Sequence, residues 1–181
     1  GWESTVSSCK NYTLKNKKKT VNAFYDQTHQ TLRLIHQESV FNIYPLNAEQ
    51  SFAIDALLNP AIKLITIQGN AGTGKTLLAL ASALEQRKDF RQIYITRPIV
   101  PLSNKDIGFL PGDVKAKVDP YMAPIWDNLK FIRDQFINDD KMLFKIDELI
   151  RTEKIEIAPL AFIRGRTITK IFFIVDEAQN L

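Results

Sequence analysis

Lys63-Leu-Ile-Thr-Ile-Gln-Gly-Asn-Ala-Gly-Thr-Gly-Lys-Thr76 is the stretch on which the reading of this chain turns. Leu64, Ile65 and Ile67 make a short apolar run, the pattern of a strand buried on both faces. Gly69, Asn70, Ala71, Gly72, Thr73, Gly74, Lys75 and Thr76 then fit G-x-x-x-x-G-K-[ST] at every specified position. Leu77 to Arg87 follows as a strong helix former, rich in Ala and Leu. Glycines let the backbone turn sharply and aim successive N–H groups into one concavity. The helix after them adds the positive end of its dipole. In such a loop Lys75 reaches the β- and γ-phosphates and the Thr76 hydroxyl takes Mg²⁺. A glycine turn that merely packs a helix on a sheet is the alternative, and it gives no reason for Lys75 and Thr76 to stand in register. The stretch predicts a nucleoside-triphosphate site.

The chain has 181 residues, 45% of them hydrophobic and 24% charged. That is ordinary for a soluble α/β domain of about 140 residues with a small appendage. A net charge of +4 permits nucleic-acid contact without requiring it. No apolar run reaches the roughly 18 residues of a membrane span. The N-terminal residues lack a signal-peptide pattern, and Cys9 is the single cysteine, so a cytoplasmic location is expected.

Residues 1–18 are polar, and Lys17-Lys18-Lys19 reads as a solvated turn between strands rather than a nucleic-acid patch. From Thr20 the texture is strand-like: Val21, Ala23 and Tyr25 alternate with their neighbours, as do Leu32, Leu34 and His36. Gln27 to Gln30 can turn this pair into a hairpin, and Val40 to Tyr44 reads as a third strand. Residues 1–44 are therefore expected to be a small β-rich appendage. Asn47 is a candidate N-cap for a helix from Ala48 to Leu58, with Phe52, Ala53, Ala56 and Leu57 as its apolar face. Asn59-Pro60 ends that helix. Gln92 to Thr96 reads as a buried strand stopped by Arg97-Pro98, and 99–116 as a long loop. Lys117 to Phe136 is helical with interruptions near Pro120 and Pro124, and Met142 to Thr152 is helical again. Ile155 to Ile157 is a short strand, and Ile171 to Val175 has the look of a central parallel one.

That last run ends in Asp176-Glu177, an acidic pair where an α/β protein binds its ligands, at the carboxyl end of a strand. Asp176 is placed to hold Mg²⁺, directly or through water, and Glu177 to polarise an attacking water. A helix N-cap is the plainer reading of such a pair. The glycine loop earlier in the chain weighs for catalysis, with Lys75, Asp176 and Glu177 as the catalytic set.

Several segments together resemble the PhoH-like ATPase family. They are Pro45-Leu-Asn-Ala-Glu-Gln50, Gly69–Thr76, Ile95-Thr-Arg-Pro98, Gly108-Phe-Leu-Pro-Gly-Asp113, Ile163-Arg-Gly-Arg166 and Val175-Asp-Glu-Ala-Gln-Asn180. The form of 95–101 is closer to members with an N-terminal PIN nuclease domain, and 20–44 resembles the β segment between their nuclease and ATPase. The resemblance covers 45–181, and more loosely 12–44. It implies a RecA-like P-loop NTPase core with a mainly parallel sheet over 45–181, ATP hydrolysis with Mg²⁺, and a part in RNA unwinding and cleavage. By the same resemblance Gln50 would read the adenine edge, and Arg97 would touch the nucleic-acid backbone. Arg164 and Arg166 would meet RNA, a neighbouring subunit's nucleotide or a local carboxylate. ATP, single-stranded RNA, further copies of the chain (a hexameric ring being one form) and a PIN domain in the parent protein are the expected partners.

The family's next strand, with its γ-phosphate sensor, would follow Leu181, so the chain is expected to be a central piece that binds nucleotide better than it hydrolyses it. The competing reading is a nucleotide-dependent switch or oligomerisation module without helicase activity. A small-molecule kinase ranks third, because Asp-Glu suits water activation and no lid-like Arg cluster follows the loop.

Overall fold

Period-2 alternation in the first segment of the computed structural model becomes a small sheet of its own. Residues 9–16, 19–26, 29–36, 38–98, 114–163 and 169–180 are described. Cys9–Asn16 (β1), Lys19–Asp26 (β2) and Thr31–Ile35 (β3) pair antiparallel in the order β1-β2-β3. Tyr12 stands opposite Ala23, and Ala23 opposite Leu34. Opposite residues share a face, so Tyr12, Leu14, Val21, Leu32 and Leu34 lie together on the side away from the helices, all of them exposed. The other face turns to the helices through Asn22, Phe24, Arg33 and Ile35. The β2–β3 hairpin is as the sequence predicts, whereas β1 lies in a polar stretch where the sequence implies a strand only through the turn at Lys17–Lys19. Its alternation of Tyr12 and Leu14 with Asn11, Thr13 and Lys15 is the signal that the polar composition hid.

Val40 to Tyr44 is not a strand. Val40 and Ile43 form an isolated bridge around a turn in which Phe41 and Asn42 take positive φ. Val40, Phe41 and Ile43 are buried in the same hydrophobic cluster as the helices. Their apolar side chains serve that core and not a sheet face.

Ala48–Leu58 (α1) is capped as expected, Asn47 Oδ1 accepting from the Gln50 N–H at 2.8 Å. It buries Ser51, Ile54 and Leu57, while Phe52, Ala53 and Ala56 are half-buried. With apolar residues around most of its circumference, its sequence does not fix which stripe faces inward. Lys75–Glu85 (α2) is buried along Leu78 to Leu84. Between them, 62–70 forms no strand, and Leu64 is 86% exposed. An apolar run carries no ladder partner of its own, and this one is not hydrogen-bonded into either sheet.

Gln92–Thr96 (β4), Ile155–Ile157 (β5) and Ile171–Val175 (β6) form a parallel sheet in the order β5-β4-β6. Ile93, Tyr94, Ile95 and Thr96 of the middle strand are all buried. β6, read as a central strand, is an edge among the described residues, and Phe173 is 42% exposed on it. Val114–Asp134 (α3) runs without interruption through Pro120 and Pro124. A proline removes one backbone hydrogen bond; here Met122, Ile125, Leu129 and Ile132 bury at three- and four-residue spacing and hold the helix across both. Residues 114–116, expected in a loop, already belong to α3, and the remainder of that loop, 99–113, lies outside the described residues. Asp140–Arg151 (α4) is capped by Asp139, which accepts from the Met142 N–H at 3.0 Å, and buries Ile146. The architecture is mixed α/β, and no described helix is long and apolar enough to cross a membrane.

Candidate nucleotide site

The glycine loop owes its shape to two left-handed residues, Gly72 at φ 76° and Gly74 at φ 80°. A side chain is strained there, which is why the backbone can turn twice before α2 begins. Inside the turn Thr73 Oγ1 donates to the Asn70 carbonyl at 2.9 Å. Lys75 Nζ folds back to donate to the carbonyls of Gly69 at 2.9 Å and Asn70 at 2.8 Å. Its ammonium therefore lies on the loop itself, where a cation is poised for an anion held by the same turn.

The next residue ties the loop to the far end of the chain. Thr76 Oγ1 donates to Asp176 Oδ1 at 2.6 Å. Asp176 is fixed in turn by its N–H, which donates to the Thr96 carbonyl at 2.8 Å, so it sits at the carboxyl ends of β4 and β6. Glu177, the following residue, takes a left-handed backbone at φ 53°. Its Oε1 accepts from Arg97 Nη2 at 3.1 Å and its Oε2 accepts from Gln179 Nε2. Arg97 Nε lies 3.6 Å from Asp176 Oδ2, and Nη1 reaches the Tyr121 carbonyl of α3 at 3.5 Å. The Gln179 bond is the largest influence and holds the Glu177 carboxyl below its usual range. Burial, next in size, pushes it up, and the Arg97 bond with the charges of Arg97 and Lys75 adds to the lowering.

Gln50 closes the other side of the loop. Its Nε2 donates to the Thr73 carbonyl at 3.1 Å, and its Oε1 accepts from the Leu46 N–H at 2.7 Å. The cap of α1, the phosphate loop and the strand ends thus form one hydrogen-bonded neighbourhood around Thr73 to Thr76. Arg97 is brought to the carboxylates. Arg164 and Arg166 lie outside the described residues. Sequence reading passed over Gln179 as a partner of Glu177 and the Tyr121 carbonyl as a partner of Arg97. Gln179 stands within the Val175–Asn180 segment and could have been tested at that spacing; a backbone carbonyl leaves no trace in sequence.

The donor set suits Mg²⁺. A hydroxyl and a carboxylate oxygen stand side by side at Thr76 and Asp176, and a small hard cation takes oxygen ligands while keeping waters and substrate phosphates. Among the described residues no group of three or more His, Cys, Asp or Glu comes together, so the oxygens of these two residues would serve it alongside a nucleotide.

Known proteins identify the family to which the chain belongs. Residues 42–181 match the family model described as PhoH-like protein. Over 162 residues the chain is 41% identical to Protein PhoH2 of Bacillus subtilis (strain 168), covering 86% of this chain and 35% of that protein. It is 34% identical over 145 residues to Protein PhoH2 of Mycolicibacterium smegmatis, covering 78% of this chain and 31% of the relative. A PhoH-like protein of Synechocystis is 46% identical over 114 residues, 62% of this chain and 32% of its own length. The chain thus spans about a third of these relatives. A match over most of its length, with a glycine loop joined to an acidic strand end, makes this chain a member of the PhoH-like protein family.

Proposed function

We propose that this chain is an ATP-binding and ATP-hydrolysing module with a RecA-like core, coupled in the parent protein to single-stranded RNA. The observation that carries the reading is the Thr76–Asp176 hydrogen bond, which joins two motifs a hundred residues apart in the chain. In this reading the 69–76 backbone N–H groups cradle the phosphates, and Lys75 leaves the Gly69 and Asn70 carbonyls for the β- and γ-phosphates. Thr76 and Asp176 would hold Mg²⁺, whose charge would offset that on the phosphate oxygens. Glu177 orients and deprotonates the attacking water. Gln50 stays on the nucleotide side of the site, where reading adenine means exchanging the Thr73 or Leu46 partner for the base.

RNA coupling draws support from charge. Outside the Lys17–Lys19 run, β1 to β3 carry Lys10, Lys15 and Arg33 against the single carboxylate of Asp26, in a chain of net charge +4. A small basic sheet beside an ATPase site suits a polyanion. The division into a 1–44 appendage and a 45–181 ATPase domain, a homo-oligomeric assembly, a PIN nuclease in the longer protein and a cytoplasmic location belong to the same proposal.

A switch or oligomerisation module is the second reading, favoured by the exposed apolar face of the β1–β3 sheet. ATP turnover measured with and without single-stranded RNA separates the two. Stimulation by RNA is expected, and turnover indifferent to RNA would shift the reading to the switch. Absence of ATP binding, by calorimetry, would remove both.

A further inference from the structure

Glu177 is an odd water-orienting group as it stands, because each of its oxygens already accepts a bond that fixes where the carboxylate lies. Arg97 occupies Oε1 at 3.1 Å and Gln179 occupies Oε2. Arg97 is itself held at three points: Glu177, the Asp176 carboxylate at 3.6 Å and the Tyr121 carbonyl at 3.5 Å. The guanidinium is 22% exposed and Glu177 is 40% exposed, so the contact is shielded on the arginine side yet open to a competing solute. A carboxylate that accepts from a guanidinium is a weaker base toward a water proton, since the guanidinium offsets its charge and fixes its orientation.

We propose that Arg97 is a positioning residue that holds Glu177 in a stowed orientation, and that a phosphate group competing for the guanidinium releases Glu177 toward the attacking water. This rests on the reading of Glu177 as the water-orienting group. Phosphate oxygens are the natural competitor, since a guanidinium fork matches them as well as it matches a carboxylate. They can come from a phosphodiester backbone or from the terminal phosphate of the nucleotide. Either way Arg97 links phosphate occupancy beside β4 to the geometry at the end of β6, and through Tyr121 to α3. Gln179 holds the second oxygen from an exposed turn, so it restrains Glu177 without sensing the phosphate.

The test compares the wild-type parent protein with Arg97→Ala, Arg97→Lys, Gln179→Ala and Lys75→Ala. Mg-ATP turnover is read alone and with a single-stranded RNA oligonucleotide, and ATP and ADP affinities are read by calorimetry. If a phosphodiester is the competitor, Arg97→Ala turns over ATP without RNA about fivefold faster than wild type, an ion pair worth about 1 kcal/mol. It then no longer responds to RNA, and its ATP affinity is unchanged. Gln179→Ala also rises without RNA but keeps its response. Arg97→Lys retains the charge without the fork and falls between, which also covers the case in which Arg97→Ala does not fold. If the terminal phosphate is the competitor, Arg97→Ala weakens ATP but not ADP, and wild-type turnover is independent of RNA. Lower turnover of Arg97→Ala without RNA, at unchanged ATP and ADP affinity, would overturn the proposal, as would no change in any readout. Equal ATP affinity of Lys75→Ala and wild type would instead overturn the nucleotide-site reading beneath it.

Discussion

In the proposed reading of the site, Lys75 and Glu177 carry separable parts of the chemistry. Lys75 rests on two carbonyls of its own loop, and its ammonium is the cation nearest to where the loop would hold phosphate. Lys75→Ala removes a charge-assisted contact worth about 1.5–3 kcal/mol. ATP affinity should fall at least about tenfold in calorimetry, with the α2 helix signal in circular dichroism unchanged. Glu177→Gln keeps the shape but not the charge, and its single amide oxygen can accept from Arg97 or Gln179 but not both. In the intact protein ATP should still bind while hydrolysis drops by about 10²-fold or more; wild-type turnover would assign the base elsewhere. Acid dependence follows from the same carboxylate, whose folded value is depressed. Its small stabilisation is present above the ordinary carboxylate range and lost as pH falls through the depressed value. Wild type should therefore lose stability more steeply than Glu177→Gln at acid pH, in melting temperatures taken across that range.

Among the elements, α1 decides how firmly the loop is held, although no residue of α1 belongs to the glycine motif. Asn47 caps the helix by accepting from the Gln50 N–H, and the Gln50 side chain in turn grips the Thr73 carbonyl and the Leu46 N–H. Asn47→Ala removes a cap worth about 1 kcal/mol and loosens the residue that braces the loop. The expected result is a stability loss of that size by denaturant titration, together with weaker ATP binding. A stability loss with unaltered ATP affinity would mean that Gln50 does not depend on the cap for its position. The bidentate Arg33–Asp55 pair, at 2.8 Å on each arm, fastens β3 to α1 from the opposite side. Arg33 is largely exposed, so the pair orients the small sheet more than it stabilises the chain.

The molecule as a whole has a core that reaches back before α1. Phe41 packs edge-on against Phe136 at 5.0 Å, lies under the Arg87 guanidinium at 5.1 Å, and donates its N–H to Glu85 at 2.9 Å. Val40, Phe41 and Ile43 thereby join α2 and α3 in one cluster. Phe41→Ala should cost about 3–5 kcal/mol, as for other large core truncations, and should lower the single unfolding transition of the helical core. Leu32→Ala, on the exposed face of the small sheet, should stay within about 0.5 kcal/mol. A Phe41→Ala transition unchanged in the helices would mean that the turn at 40–43 packs on the core without supporting it.

Local chemistry is what the sequence determined by itself. The 69–76 loop, the α1 cap at Asn47 and the strands at 92–96, 155–157 and 171–175 were legible because each is specified within a few residues. Glycines, caps and unbroken apolar runs act on their immediate neighbours. Tertiary structure decided the rest. Which stripe of α1 is buried, how α3 holds through two prolines and where Val40 and Phe41 go all depend on surfaces supplied from elsewhere in the chain. The run at 64–67 illustrates the limit: its residues suit a strand, but a strand exists only when another lends it a ladder. The site followed the same division. Thr76, Asp176 and Glu177 could be named from their motifs, but the 2.6 Å contact between Thr76 and Asp176 required the parallel register of β4 and β6. The turn of Arg97 onto Glu177 needed that register too, because an arginine at a strand end has many possible anions within reach and only the packed sheet selects one.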